Sequence, residues 1–216
     1  MLTKFNFNES LDVVRKCIKD DQFDNVFLAY RLAKYALHNR YPDSKFSLNL
    51  PLTTLNTLVE IKKHVDFFDI VTSLVYYVKQ NSFLLTDADV INDFGMNILS
   101  SINLLIDIEK IACSNAVITK SKQKMYFDRF PYNVQILKVN EIISRLRNLD
   151  LNIDKTYPLK VYNRYLPILE CHKEFGIIIY LELKKVILKL LKKHKDIYSE
   201  LDIIKLHSIV MKGQQK

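Results

Sequence analysis

The chain has 216 residues, 49% hydrophobic and 26% charged, with 3 Gly, 5 Pro, 3 Cys and no Trp; its net charge of +8 divides into −2 over residues 1–118 (12 Lys+Arg, 14 Asp+Glu) and +10 over residues 119–216 (20 and 10). That length and hydrophobic fraction provide for a buried core and exclude a wholly disordered chain, while so few glycines suit poorly the repeated tight turns of sandwiches, barrels and Rossmann sheets. Gly95, Gly176 and Gly213 lie too far apart for a GxGxxG or GxxxxGK phosphate cradle, so the composition points to an all-α protein and away from the common nucleotide-binding loops.

Helical signals run from end to end. Asn6 with Glu9 reads as a capping box before a short amphipathic helix through Leu11, Val14 and Ile18 that ends near Asp20. Phe23, Val26, Phe27, Tyr30, Ala33 and Leu37 give a second helix with Pro42 at its exit. A third is expected to begin after Pro51 (Leu52, Leu55, Leu58, Val59, Ile61), and Asp66 caps a fourth carrying Phe67, Ile70, Val71, Leu74 and Val78. Thr86 with Asp89 forms another capping box and opens an apolar stretch over 90–113, one long helix or two, with Gly95 and the Ser100-Ser101 pair as weak points.

Residues 119–131 read as a loop, 132–149 return to helical spacing, and 152–158 break it again. Pro167 predicts a kink or break near 164–166 within the run 159–175. The last long helix, 176–195, puts Ile179, Leu183, Val186, Ile187 and Leu190 on one face, and Ser199 with Asp202 caps a final short one. The sum is eight to ten helices in an α-solenoid-like stack of hairpins or an irregular helical bundle. A neutral to acidic half, 1–118, and a basic half, 119–216, form one continuous domain. A strand could hide only at 175–181 or 48–52.

Sliding residues 22–34 forward by 45 places Phe23 on Phe68, Asp24 on Asp69, Val26 on Val71 and Lys34 on Lys79, a degenerate repeat. The segment QFDNVFLAYRLAKYAL resembles the second half of a tetratricopeptide or pentatricopeptide unit, which implies stacked helix hairpins. It departs from that pattern at the small-residue turn position, where Phe23 and Phe68 stand, and its offset is longer than either family's period. No family is assigned on it.

The most enzyme-like string, Asp20-Asp21-Gln22-Phe23-Asp24, resembles the DDxxD motif with which all-helical isoprenoid synthases hold magnesium and a pyrophosphate. It falls at a helix junction, and no second acidic motif follows, since Asn92-Asp93-Phe94-Gly95-Met96 lacks the hydroxyl and the later acid. Acids at a helix start are favoured by the macrodipole, which accounts for the string without a metal. Asp87, Asp89 and Asp93 fail as a calcium loop because Ile91 stands at a ligand position and Asn92 at the glycine position. The histidines form no HxxxH or HExxH pair, and the adjacent Cys171-His172 diverge on a helix surface, so neither a cofactor nor a metal is expected.

Two basic features remain. Lys120, Lys122, Lys124 and Arg129 interleave with Tyr126, Phe127, Phe130 and Tyr132 in the expected loop, a pattern suited to unpaired nucleotides unless the rings turn inward and staple the loop to the core. Lys185, Lys189, Lys192 and Lys193 fall within one quarter of a helix, opposite its apolar stripe, where an anionic partner or solvent would face them. Lys192-Lys193-His194-Lys195 also matches a short nuclear-localisation pattern.

Cys17, Cys113 and Cys171 are odd in number with no CxxC pair, which suits thiols in a reducing compartment. The N-terminus carries Glu9 and Asp12 and no secretory apolar core, and the apolar run 175–181 is far short of the ~20 residues that span a bilayer, so an intracellular protein, nuclear or cytoplasmic, is expected. The preferred expectation is a non-enzymatic helical scaffold or adaptor subunit of a multiprotein assembly. It would bind protein through the N-terminal helix pairs and an acidic partner or nucleic acid through the basic half. The ring content of 12 Tyr and 12 Phe supports the first part, because tyrosine suits interfaces. The alternatives are a stand-alone nucleic-acid-binding helical protein and, third, an all-α magnesium-dependent enzyme in which Asp20, Asp24 and another carboxylate converge.

Overall fold

A computed structural model describes residues 12, 14–42, 45–113, 125, 127–149, 157–165 and 173–193. Among them are eight helices and no strand: α1 (Phe23–Arg40), α2 (Lys45–Ile61), α3 (Phe67–Asn81), α4 (Asp87–Phe94), α5 (Met96–Cys113), α6 (Tyr132–Arg147), α7 (Tyr157–Lys160) and α8 (Lys173–Lys193). A 3-10 turn, Asp20–Gln22, leads into α1, and α7 passes directly into a π-turn, Val161–Tyr165. The protein is all-α, and both places where a strand could hide are helical.

Local chemistry sets the boundaries. Asp66 Oδ1 accepts from the Asp69 N–H at 3.0 Å while Asp69 Oδ2 accepts from the Asp66 N–H at 3.1 Å, closing a reciprocal capping box at the start of α3. Thr86 and Asp89 do the same for α4, at 3.2 and 2.8 Å. These two boxes end similar five-residue connections, 62–66 and 82–86, that share one backbone course and one pattern of exposure. The chain thus repeats a device at an offset of 20 residues, which sequence reading missed because the apolar positions at that offset do not match.

The stretch 90–113 is two helices. Gly95 has φ +97°, ψ 158°, a combination essentially restricted to glycine, and its N–H donates to both the Val90 and Ile91 carbonyls as α4 ends. A methyl at Gly95 would meet nothing within 4 Å, so Gly95→Ala tests the backbone alone. Its expected cost is about 1–3 kcal/mol, read as a Tm lowered by several degrees with the helical circular dichroism of the folded state unchanged.

Two expectations are corrected. Helix α2 begins at Lys45 and runs through Pro51. A proline this far inside loses one helical hydrogen bond and costs ~3 kcal/mol, but Leu50, Leu55 and Leu58 are all buried on this helix, at ~1.5–3 kcal/mol each. The first helix is not continuous to Asp20: Val14 and Arg15 are helical and the chain turns at Lys16 and Cys17, with Val14 buried. The expected final helix, 199–211, lies outside the described residues.

Helix α1 packs most extensively on α3, with their C-terminal ends meeting where Arg40 donates to the Gln80 carbonyl at 3.5 Å. These are the two segments that the 45-residue offset relates, and the equivalent Val26 and Val71 are both buried. Asp24 and Asp69 are unlike, however: Asp24 is exposed, whereas Asp69 is buried against the Lys62 ammonium. Helix α6 lies at the centre, against α2, α3, α5 and α8. Every residue from Val134 to Ser144 is buried, so this is an irregular bundle wrapped around one enclosed helix and not an open stack of hairpins.

Candidate functional site

The chemistry of the core gathers on one stripe of α6. Lys138, Glu141 and Arg145 follow i, i+3, i+7 and so share one side of the helix. Lys138 is 0% exposed; its Nζ lies 2.8 Å from both Glu141 Oε2 and Glu109 Oε2 of α5. Arg145 Nε lies 2.5 Å from Glu141 Oε1, and its Nη2 donates to Gln80 Oε1 at 2.6 Å. Glu109 also takes the Lys160 ammonium at 2.7 Å and the Tyr165 hydroxyl, which ties the segment from α7 through the π-turn to α5. The cluster therefore carries three cations and two carboxylates on one surface of α6.

Four tyrosines form its cover. The Lys138 ammonium lies 4.8 Å from the centre of the Tyr165 ring and 5.6 Å from that of Tyr76, and the Arg145 guanidinium lies 5.8 Å from both Tyr77 and Tyr157. The negative ring faces thus take up the excess positive charge in a region closed to water. The Tyr77 hydroxyl bonds Thr54 Oγ1 of α2 at 3.0 Å, whereas the Tyr157 hydroxyl is buried with no hydrogen-bond partner.

The electrostatics are one-directional. Burial alone would raise the Glu109 carboxyl, but the ammonium groups of Lys138 and Lys160 and the Tyr165 hydroxyl outweigh it and hold the group well below the usual carboxylate range. Burial opposes the charge on Lys138 and Arg145, yet the Glu141 carboxylate, foremost among their partners, raises both. Burial pushes the phenols up: Tyr76 to about 12, and Tyr77, Tyr157 and Tyr165 above the ordinary value as well. Each ionised group is locked in the charge state it needs for its neighbours. Lys138, fully enclosed, has no open side from which a substrate could reach it, so the arrangement acts as an ionic clamp joining α3, α5, α6 and α7.

The sequence-predicted surface residues fall elsewhere. Lys120, Lys122, Lys124 and Tyr126 lie outside the described residues. Arg129 is exposed in the turn before α6. Two rings of that segment do turn inward: Phe127 is buried and packs against Phe130 at 6.4 Å, and Gln135 Nε2 donates to the carbonyls of both, at 3.3 and 2.7 Å. Lys185, Lys189, Lys192 and Lys193 are all on α8. Lys185 is exposed and pairs with Glu182 at 3.0 Å, which also meets Arg147 at 3.4 Å. The side chains of Lys189, Lys192 and Lys193 are outside the described set.

The burial of α8 corrects where those lysines stand. Its inward face carries Ile179, Leu183, Val186 and Ile187. The face diametrically opposite is not cationic but apolar: Ile177, Leu181 and Leu188 are 62%, 52% and 40% exposed and fall within about 40° of one another at 100° per residue. Lys185, Lys189 and Lys192 flank this stripe on one side. Helix α1 likewise presents Leu28 and Tyr35, one heptad apart, to solvent, and Phe83 at the turn before α4 is fully exposed.

The acids of the DDxxD-like string occupy the 3-10 turn and the first turn of α1, all exposed. A cavity of about 290 Å³ opens beside them, lined by Arg15, Ile18, Lys19, Asp20 and Phe23, with the Arg15 guanidinium 4.7 Å above the Phe23 ring. Among the described residues no group of three His, Cys, Asp or Glu side chains is placed to hold a metal ion. None of the described helices is long and apolar enough to cross a membrane.

Fold and site together define a class: an all-α bundle with an ionic clamp at its centre and apolar stripes on its outer helices. Compared with protein-family models, curated proteins and solved structures, the chain matches none of them.

Proposed function

We propose that this protein is a non-enzymatic scaffold or adaptor subunit of an intracellular assembly, working in the cytoplasm or the nucleus. The observation that carries the reading is the alignment of solvent-exposed apolar side chains on outer helices: Leu28 and Tyr35 on α1, and Ile177, Leu181 and Leu188 on α8. Single exposed apolar residues are ordinary on any surface, whereas residues aligned along a helix at heptad-like spacing form a strip that a partner helix can cover. One strip lies in each half of the chain, and the second adjoins the lysines of the basic half, which supports two contacts of different chemistry. The enclosed clamp fits the same role, because it fixes the relative positions of four elements without offering a reactive group to solvent.

The second reading, a stand-alone nucleic-acid-binding protein, draws on the +10 charge of residues 119–216. A salt titration separates the two. If the protein is an adaptor, single-stranded RNA and DNA are expected to dissociate by physiological ionic strength, and replacing Lys185, Lys189 and Lys192 with Glu leaves any residual binding to the rest of the chain. Binding that persists near 0.15 M salt, falls steeply as salt rises and disappears in the triple variant would overturn the adaptor reading in favour of the second.

A further inference from the structure

We infer that the outer face of α8 is the docking site for an acidic amphipathic helix of a partner protein, its apolar side chains meeting Ile177, Leu181 and Leu188 and its carboxylates meeting the lysine flank. The inference rests on the adaptor reading and specifies one of its two contacts. The three apolar residues span 11 positions, about 16 Å of helix, which is three turns of a facing helix.

Charge selects the occupant. Lys184 is half-buried within the stripe, Lys185 is exposed beside it, and Lys189 and Lys192 continue that side along α8. No acidic residue of α8 falls on the stripe or among these lysines in the span 184–193; Glu182, the nearest, bonds both Lys185 and Arg147. A second copy of this chain is a poor complement, since an antiparallel two-fold pair of α8 helices lays one lysine flank against the other. The chain's own residues 194–216 are a poor complement too, because they carry four lysines against two aspartates and one glutamate. A partner rich in glutamate or aspartate beside its apolar face satisfies both the stripe and the flank, with electrostatics setting the register and the apolar contacts setting the residence time. A strip of three side chains is smaller than a stable interface of about 800 Å² per partner requires, so the contact on its own is a micromolar one, strengthened in an assembly by the contact on α1.

The test uses the full chain and a fluorescent 18-residue peptide with leucines at positions 3, 7 and 14, matching the spacing on α8, and glutamates beside them. A control peptide has the same composition with the leucines scrambled. The expected result is micromolar binding of the first peptide, at least tenfold weaker binding of the scrambled one, and at least tenfold weakening by Leu181→Glu or Ile177→Glu, with Lys185→Glu weakening it severalfold and only at low salt. Equal binding of the two peptides would overturn the docking inference while leaving an acidic partner, and with it the adaptor reading, in place. Binding of neither peptide would overturn the inference. Sedimentation that shows a dimer of the native chain converted to monomer by Leu181→Glu would assign the face to a second copy. Hydrogen exchange that shows Leu181→Glu unprotecting residues 199–211 would assign it to the chain's own tail. Retained thermal unfolding of each variant excludes a failure to fold, since all three substituted residues are solvent-exposed.

Discussion

Lys138→Met is expected to destabilise the protein by about 3–5 kcal/mol, a large share of the 5–15 kcal/mol that holds a typical domain together. The lysine ammonium is the shared cation of Glu109 and Glu141, at 2.8 Å from each, and it has no exposed surface through which water could take its place. Methionine fills the volume but leaves two carboxylates facing each other under a cover of tyrosine rings. The cost comes from that uncompensated negative charge, so it has a signature that a packing defect lacks. Adding Glu141→Gln to Lys138→Met removes one of the orphaned carboxylates, and the double variant is expected to be more stable than the sum of the two single losses by more than 1 kcal/mol. Urea unfolding of the four proteins measures this directly. A loss below 1 kcal/mol for Lys138→Met, or additivity within a few tenths, would mean that the cluster is solvated and not a clamp.

The second large effect is alkaline unfolding. Tyr76, Tyr77, Tyr157 and Tyr165 all have raised pKa values in the folded chain, Tyr76 reaching about 12 against an ordinary 10.0, with burial as the leading cause for each. A group whose folded pKa is raised holds its proton in the native state after the unfolded chain has released it. Its contribution is therefore intact below pH 10 and is lost as pH climbs from there towards the folded value. Each such tyrosine removes ~1.4 kcal/mol per pH unit in that window, so four acting together remove ~5 kcal/mol per unit. Lys138, raised above its ordinary 10.5, adds to the same trend. The helical signal and the tyrosinate absorbance are expected to change together in one steep transition within about two units above pH 10. Gradual titration of the phenols with the helices intact would show that the tyrosine cover admits water. Glu109, held below the carboxylate range, works the other way: its contribution is present above pH 4.5 and is lost as pH falls below it.

The overall class was legible in the sequence because the capping boxes at Asp66 and Thr86 and the 3.6-residue spacing of the apolar positions are local properties. The break at Gly95 was legible as one of two weak points; the backbone conformation that picks it over Ser100-Ser101 is a property of how α4 and α5 meet. The start of α2 was misplaced because proline costs are local, whereas the burial of Leu50, Leu55 and Leu58 that outweighs them is tertiary. The arrangement of the bundle was open between two forms, and α6 carried a signal that could have decided it. Val134, Ile136, Leu137, Val139, Ile142, Ile143 and Leu146 encircle the helix, and a helix apolar on all sides is an enclosed one.

The clamp was harder to read. Lys138, Glu141 and Arg145 at i, i+3, i+7 look like any solvated ion-paired face, and only the cover of tyrosines from α3, α7 and the π-turn makes them interior. The abundance of tyrosine suggested interfaces; Tyr30, Tyr76, Tyr77, Tyr157 and Tyr165 instead line the interior. The basic cluster on α8 was visible as a charge pattern. The apolar stripe beside it was hidden, because Ile177, Leu181 and Leu188 read as part of one generally hydrophobic helix until the inward face is known.

The adaptor reading meets its most direct test in photocrosslinking from α8. With a photoreactive amino acid at position 184, between Leu181 and Leu188, the full-length protein is irradiated in the cells that express it and its adducts are identified by mass spectrometry. The predicted result is a discrete adduct with an acidic helical segment of another polypeptide, lost when Leu181→Glu is added. Adducts confined to nucleic acid, or the same adducts with and without Leu181→Glu, would contradict it.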